Sequence, residues 1–335
     1  MHNSSKYYFL KDITVPFDEI YIPSRGIYYS NKQESFLVKY LTARKENILT
    51  SPTLVENGRA TELILESCLL DWEGDIGNIL VGDKNAILIY LRSTSFGDKV
   101  KFQYTCPECK KKSETDLYLS QLEMKDIEIE PDKNGTYSYE LPKMRLKLSN
   151  SGDSESVVVK FKPLTINDEK EIKKISNDET IEIDGVRIDN SSEIKYRKQI
   201  VEINGIKNKD FIKKVIKNMS LTDSLYLRDY MEKVEPGIKN TINSICNNCG
   251  HICENKIPIN SNFFGLDAKY KENMMDEIFL ISYYSKGGHN RNDIYDMPIF
   301  ERRRTMEKIS EEVEKKNQAE KAAMNKAKNQ TKTMR

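Results

Sequence analysis

The chain predicts an α+β protein of two internally duplicated helix-plus-β-knuckle units that share a zinc-ribbon-like four-cysteine site, with a C-terminal helical extension. Three observations predict it. Two Cys-x-x-Cys pairs, Cys106/Cys109 and Cys246/Cys249, each follow a strand-like run. The sequence around them repeats in register: Asp83 stands 23 residues before Cys106, and Asp223 stands 23 before Cys246. Counting from each Asp, Tyr90 falls on Tyr230, Gly97 on Gly237, and Leu117 and Leu119 on Ile257 and Ile259. After residue 262 the repeat stops and a helical pattern takes over.

In the first unit, Pro23 and Gly26 punctuate a turn before a strand over 36–41. Thr42 caps a short helix through Leu49, which Ser51-Pro52 stops. Residues 59–71 have helical apolar spacing at Leu63, Ile64, Ser67, Cys68 and Leu70. Asp83 reads as the N-cap of a helix that Gly97 ends. Lys99–Thr105 alternates as a strand into the first cysteine pair.

The second unit replays this order. Val38-Lys39-Tyr40-Leu41-Thr42 is echoed by Val159 to Thr165. Strand-like segments at 137–148 and 155–162 flank a turn at Asn150–Asp153, and Thr165 caps a short helix. An acidic insert, Asn177–Asn190, has no counterpart in the first unit. Helices follow at 192–203 and 209–218, and Asp223 begins another that Pro236-Gly237 closes. A strand over 238–245 delivers the second pair. Beyond it Glu272–Tyr284 is an apolar helix, and residues 299–328 lose apolar spacing to Lys, Glu, Ala and Asn. That stretch reads as an exposed helix fraying into a disordered tail. The implied divisions are an N-terminal arm (1–19), first repeat (20–136), second repeat (137–262), C-terminal helical segment (263–308) and charged tail (309–335).

Composition narrows the function. Lys+Arg number 53 against 52 Asp+Glu, a net +1, whereas proteins that coat nucleic acid show a basic excess. No apolar run approaches the roughly 20 residues that span a bilayer, and the start lacks the apolar stretch of a secretory signal. Six cysteines, four of them in CxxC pairs, suit metal binding in a reducing compartment better than disulfides. Cys68, in an apolar helical pattern, reads as an inert core thiol.

Zinc takes four ligands in a tetrahedron, and a CxxC knuckle converges two thiolates from one tight turn. Cys106, Cys109, Cys246 and Cys249 therefore read as one structural zinc site, and the 136 residues between Cys109 and Cys246 make it a clamp between units. Gly250 supplies the left-handed residue after the second knuckle, where the first has Lys110. Two rivals are knuckles that bind nothing and a redox dithiol, but thioredoxin-like motifs sit at a helix N-terminus, not between strands. His251 and Cys253 stand close enough to compete as ligands, yet only one unit has them, so they read as flanking residues. Four thiolates leave no open coordination position. The three histidines (2, 251 and 289) form no triad pattern, and no glycine loop cradles phosphate. An enzyme with a small-molecule substrate is not expected. Lys110-Lys111-Lys112 near Tyr104 could form a basic-aromatic patch for nucleic acid; the plainer reading is a solvated loop.

Several short motifs together resemble a known family. Ile22-Pro23-Ser24-Arg25-Gly26-Ile27-Tyr28-Tyr29, Leu80-Val81-Gly82-Asp83, Leu91-Arg92 with Phe96-Gly97-Asp98, and Cys106-Pro107-x-Cys109 are similar to the baseplate hub proteins of T-even-like contractile-tailed phages. The C-terminal stretch resembles theirs in Tyr283-Tyr284, Gly287-Gly288, Met297-Pro298 and Glu301-Arg302. The resemblance covers most of residues 20–305; the insert and the charged tail depart from it. It implies a non-enzymatic virion subunit of the tail baseplate, assembled in the host cytoplasm and partnered by other baseplate or tail proteins. Its alternatives are an assembly factor absent from the finished particle and a zinc-ribbon nucleic-acid adaptor.

Overall fold

Helices and short strands are interspersed in a computed structural model that describes residues 15–147, 154–179, 181–183, 186–188, 190–259, 261–266 and 268–333. The first half opens with an antiparallel pair, β1 (Phe17–Tyr21) and β2 (Ser35–Lys39). β1 thus takes in residues 17–19, assigned from sequence to an N-terminal arm; residues 1–14 of that arm lie outside the described residues. Between the strands Gly26 sits at φ +69°, with the Gln33 carbonyl oxygen 2.7 Å from where a Cβ would be, so only glycine fits.

Three short helices follow, α1 (Ala43–Leu49), α2 (Pro52–Glu56) and α3 (Arg59–Cys68). Pro52 ends α1 as expected but also starts α2, since proline's missing N–H costs nothing at a first helical position. α4 (Val81–Phe96) ends at Gly97, φ +91°, and the hairpin β3 (Lys99–Thr105) and β4 (Lys112–Tyr118) completes the half.

The second half begins with β5 (Tyr137–Lys147) and β6 (Ser154–Phe161), also antiparallel. The turn expected at Asn150–Asp153 lies outside the described residues. Tyr21 pairs with Ser35 as Glu140 pairs with Val158. α5 (Ile166–Asp178) opens on a capping box between Thr165 and Asp168. Within the acidic insert, β7 (Ile181–Ile183) and β8 (Val186–Ile188) pair antiparallel.

α6 (Ser191–Gln199) is shorter than the helix expected over 192–203. Ile200–Ile203 is instead strand β9, paired with β6, because Ile-Val-Glu-Ile is mostly β-branched and buries Ile200 and Ile203 in the second core. α7 (Lys209–Lys217) and α8 (Leu221–Val234) lead to the hairpin β10 (Thr241–Ile245) and β11 (Ile252–Lys256). The C-terminal elements are α9 (Ala268–Tyr284), α10 (Arg291–Asp296) and α11 (Ile299–Thr333). α11 runs on as one helix past residue 308, where composition suggested fraying. Its Lys, Glu, Gln and Ala residues are good helix formers, and ion pairs Lys308–Glu311 and Glu312–Lys315, both 2.8 Å, lie along it.

The two aspartates that mark the repeat are not N-caps. Each is the third residue of its helix, behind N-caps Leu80 and Ser220. Both are fully buried. Asp83 Oδ1 accepts the Ser24 N–H (2.9 Å) and Asp223 Oδ1 accepts the Lys143 N–H (2.8 Å). Each donor follows a proline, in Ile22-Pro23-Ser24 and Leu141-Pro142-Lys143, so Asp83 ties a helix start to the turn after β1 and Asp223 ties one to the register shift inside β5. At α8 the Ser220 hydroxyl does the capping that was expected of Asp223, accepting its N–H at 3.1 Å.

Two apolar cores form beneath these ties. Phe36, Val38, Leu41, Ile64, Leu65, Ile79, Ile87 and Leu91 fill the first, joined by Ile166 and Ile299 from farther along the chain. Val157, Val159, Phe161, Ile203, Val215 and Leu227 fill the second. The halves touch at several places. The Val81 N–H donates to the Leu164 carbonyl (2.9 Å), and Leu80 bridges Thr165. A Cβ on Gly82 would lie 2.0 Å from the Pro236 carbonyl oxygen. Met124 bridges Ile238. The C-terminal elements close on the first half: the Ile299 N–H donates to the Leu41 carbonyl (2.9 Å), and Pro298 bridges Thr42. Arg302, wholly buried, is held there by two acids. Its guanidinium pairs with buried Glu46 and donates from Nε to Glu277 (2.9 Å).

Candidate metal centre

Both cysteine pairs occupy the tips of two-stranded hairpins, between strands as the sequence predicts. The two turns are built alike. The Cys106 N–H donates to the Lys111 carbonyl and the Cys106 carbonyl accepts the Lys110 N–H, both at 3.0 Å. Cys246 makes the same two bonds with His251 and Gly250, both at 2.9 Å. Lys110 and Gly250 take left-handed conformations, φ +58° and +75°. A lysine there pays some conformational energy that glycine does not.

The four sulfurs of Cys106, Cys109, Cys246 and Cys249 lie within 4.8 Å of one another. Pairing crosses between halves: Cys106 Sγ is 3.7 Å from Cys249 Sγ, and Cys109 Sγ is 3.7 Å from Cys246 Sγ. A tetrahedron with Zn–S bonds of about 2.3 Å has edges of about 3.8 Å. The donor set could hold a metal ion and is compatible with zinc.

The backbone prepares part of the set for coordination. Amide N–H groups, foremost that of Cys109, pull the Cys106 thiol below its ordinary value. The Asn248 N–H, 3.4 Å from Cys246 Sγ, leads those that bring Cys246 down to about 6. At Cys249 the His251 N–H works the same way, but burial and hydrogen bonds with the neighbouring thiols push it up to about 12. Cys246, drawn down to about 6, carries a thiolate charge at neutral pH that a cation would balance.

Further bonds clasp one knuckle to the other, and these the sequence did not reveal. The Asn247 N–H donates to Ser113 Oγ (3.0 Å), and the Asn247 and Asn248 side-chain amides donate to the Glu114 and Lys112 carbonyls, both at 3.1 Å. In return the buried Cys253 thiol donates to Cys106 Sγ at 3.7 Å. Ser113 and Cys253 each stand seven residues after the first cysteine of their knuckle, a coincidence of spacing that could have signalled the clasp. Neither Cys253 nor His251 belongs to the four-residue cluster. Lys110, Lys111 and Lys112 are exposed. Cys68 is buried, and burial raises its pKa, as suits an unreactive thiol.

A mixed helix-and-sheet protein with four cysteines gathered between two hairpins defines a class of scaffold. The chain belongs to the T4 bacteriophage base plate protein family, whose model matches residues 31–265, and so is a component of a phage tail baseplate. No curated protein and no solved structure matches it.

Proposed function

We propose that the chain is a non-enzymatic scaffold of the baseplate hub region, in which one zinc ion joins two copies of a duplicated unit and the rigid result docks neighbouring baseplate proteins. The observation that carries this reading is the crossing of sulfur pairs: each 3.7 Å edge joins a cysteine of one half to a cysteine of the other. Cys106, Cys109, Cys246 and Cys249 are the ligands. Four protein thiolates close the coordination sphere, so the ion's role is structural.

Duplication is supported by an antiparallel strand pair opening each half, by the Asp83 and Asp223 ties, and by two knuckle turns with the same bonds. On this reading the units are residues 20–136 and 137–262, with 263–308 a helical segment closing on the first unit. Assembly takes place in the host cytoplasm before the protein enters the virion.

Metal analysis and quantitative mass spectrometry test the two parts. Protein purified under reducing conditions should hold one equivalent of zinc; two equivalents, or none, would sink the shared site. Purified tails should contain a few copies per particle. Presence in infected cells with absence from tails would make the chain an assembly factor instead.

A further inference from the structure

Alternation along a strand decides which side chain stands behind each knuckle. On β4, Lys112 and Glu114 are exposed and Ser113 is buried; on β11, Ile252 and Glu254 are exposed and Cys253 is buried. Ser113 lies opposite Tyr104 and Cys253 opposite Ser244, the residues two before Cys106 and Cys246. The two positions correspond, but their side chains do different things. The Ser113 hydroxyl accepts the Asn247 N–H (3.0 Å) and so serves the backbone of the facing knuckle. The Cys253 thiol donates to Cys106 Sγ (3.7 Å) and so serves a sulfur of the facing knuckle.

The thiol has one proton and two acceptors within reach. The second is the His251 carbonyl, also at 3.7 Å, and it already accepts the Cys246 N–H at 2.9 Å. A thiolate attracts a donor more strongly than a neutral carbonyl does, so with Cys106 ionised the proton belongs on the side of the sulfur. Water cannot take the donor's place. Cys106 and Cys253 are 0% and 1% exposed, whereas Cys249 is open to solvent. Removing the Cys253 donor would therefore leave a buried sulfur short of a hydrogen bond.

We propose that Cys253 is a positioning residue of the metal centre: without ligating the ion, its thiol fixes the Cys106 sulfur and sets how tightly the centre holds zinc. Four thiolates carry more negative charge than one divalent ion neutralises, and donors outside the coordination sphere spread the excess. Cys253 stands outside the four-sulfur set and supplies such a donor to the half of the site that Ser113 leaves to backbone contacts. Its loss would let the thiolates repel one another more and leave Cys106 less well aimed. The inference rests on the zinc reading above.

The test compares Cys253→Ser, which keeps a donor, with Cys253→Ala, which removes it, both in the full chain. Zinc affinity, measured by competition with a chromophoric chelator, should fall about tenfold or more in Cys253→Ala and stay within about threefold of the wild type in Cys253→Ser. Loaded with cobalt(II), both variants should keep the visible bands of a four-thiolate tetrahedron. The sulfur-to-cobalt charge-transfer band should move to longer wavelength in Cys253→Ala alone, because a sulfur without its donor gives up an electron more easily. Equal affinity in all three proteins would overturn the role. So would a serine variant as weak as the alanine one, which would mean packing and not hydrogen bonding. A three-thiolate spectrum in either variant would make Cys253 a ligand and overturn it as well. A wild type that takes up no zinc would sink the shared site itself, whereas a wild type that loads zinc no better than Cys253→Ala would sink only the part given to Cys253.

Discussion

Asp83 shows how one side chain can set a fold without taking part in chemistry. Its carboxylate accepts the Ser24 N–H and the Tyr29 hydroxyl (2.6 Å), and that hydroxyl accepts the Leu80 N–H (3.1 Å). Burial raises its pKa above the ordinary carboxylate value, although these bonds pull the other way. With the folded value raised, the unfolded chain releases this proton first. The group's contribution to stability is then fully present below about pH 4 and declines as pH rises through the folded-state pKa. The urea midpoint of the wild type should fall over that range relative to Asp83→Asn, in which the slope is absent; parallel profiles would refute it. Asp83→Ala should cost about 1–3 kcal/mol for each orphaned donor. Gly82, one residue earlier, is constrained by contact. Gly82→Ala should destabilise by about 1–3 kcal/mol, because the new methyl group meets the Pro236 carbonyl and backbone must move. An unchanged denaturation midpoint would show that the halves do not pack there as tightly as the structure has them.

Among elements, α11 combines a buried root with an exposed shaft. Arg302 anchors it to Glu46 on α1 and Glu277 on α9, and Glu46 also accepts the Tyr270 hydroxyl. Arg302→Ala strands a buried carboxylate and should cost about 3–5 kcal/mol in a thermal melt; combining it with Glu46→Gln should recover part of that loss. Deleting the chain from residue 315, where the described side chains are all exposed, should change stability by no more than about 0.5 kcal/mol. Sequence foretold these elements unevenly. The knuckle hairpins were legible because CxxC, alternating strands and a glycine after the turn are local signals. The Thr165 cap was legible for the same reason. Arg302 was not, since Glu301-Arg302-Arg303-Arg304 reads as a solvated run and its partners lie far away in the chain. Strand β9 was misread as helix because its status depends on pairing with β6, which no local pattern announces. The two aspartates were placed in the right helices but given the wrong task, because their acceptor role depends on main-chain donors 59 and 80 residues away.

For the whole molecule, the question is what the zinc site would hold together. The halves already meet through Leu80 and Thr165 and through Gly82 and Pro236, and each encloses a sizeable apolar core. The knuckles have far less beneath them. Ile89, Leu117, Leu119 and Ile257 make one small cluster, and the other is composed of Tyr104 and three cysteines. On the zinc reading, two thin hairpins facing each other with four sulfurs between them would depend on the ion more than the cores do, because ligation would add folding free energy there. Stripping zinc with a chelator, or Cys109→Ser, should therefore loosen the knuckles locally and leave the halves joined. Hydrogen exchange measured on the stripped protein should show amides of β3, β4, β10 and β11 losing protection, while those of β2 and β6 keep theirs. Protection lost uniformly along the chain would mean that the ion secures the entire fold. Protection unchanged everywhere would mean that the asparagine and serine clasp between the knuckles suffices without it, and zinc would then have no structural part in the assembly.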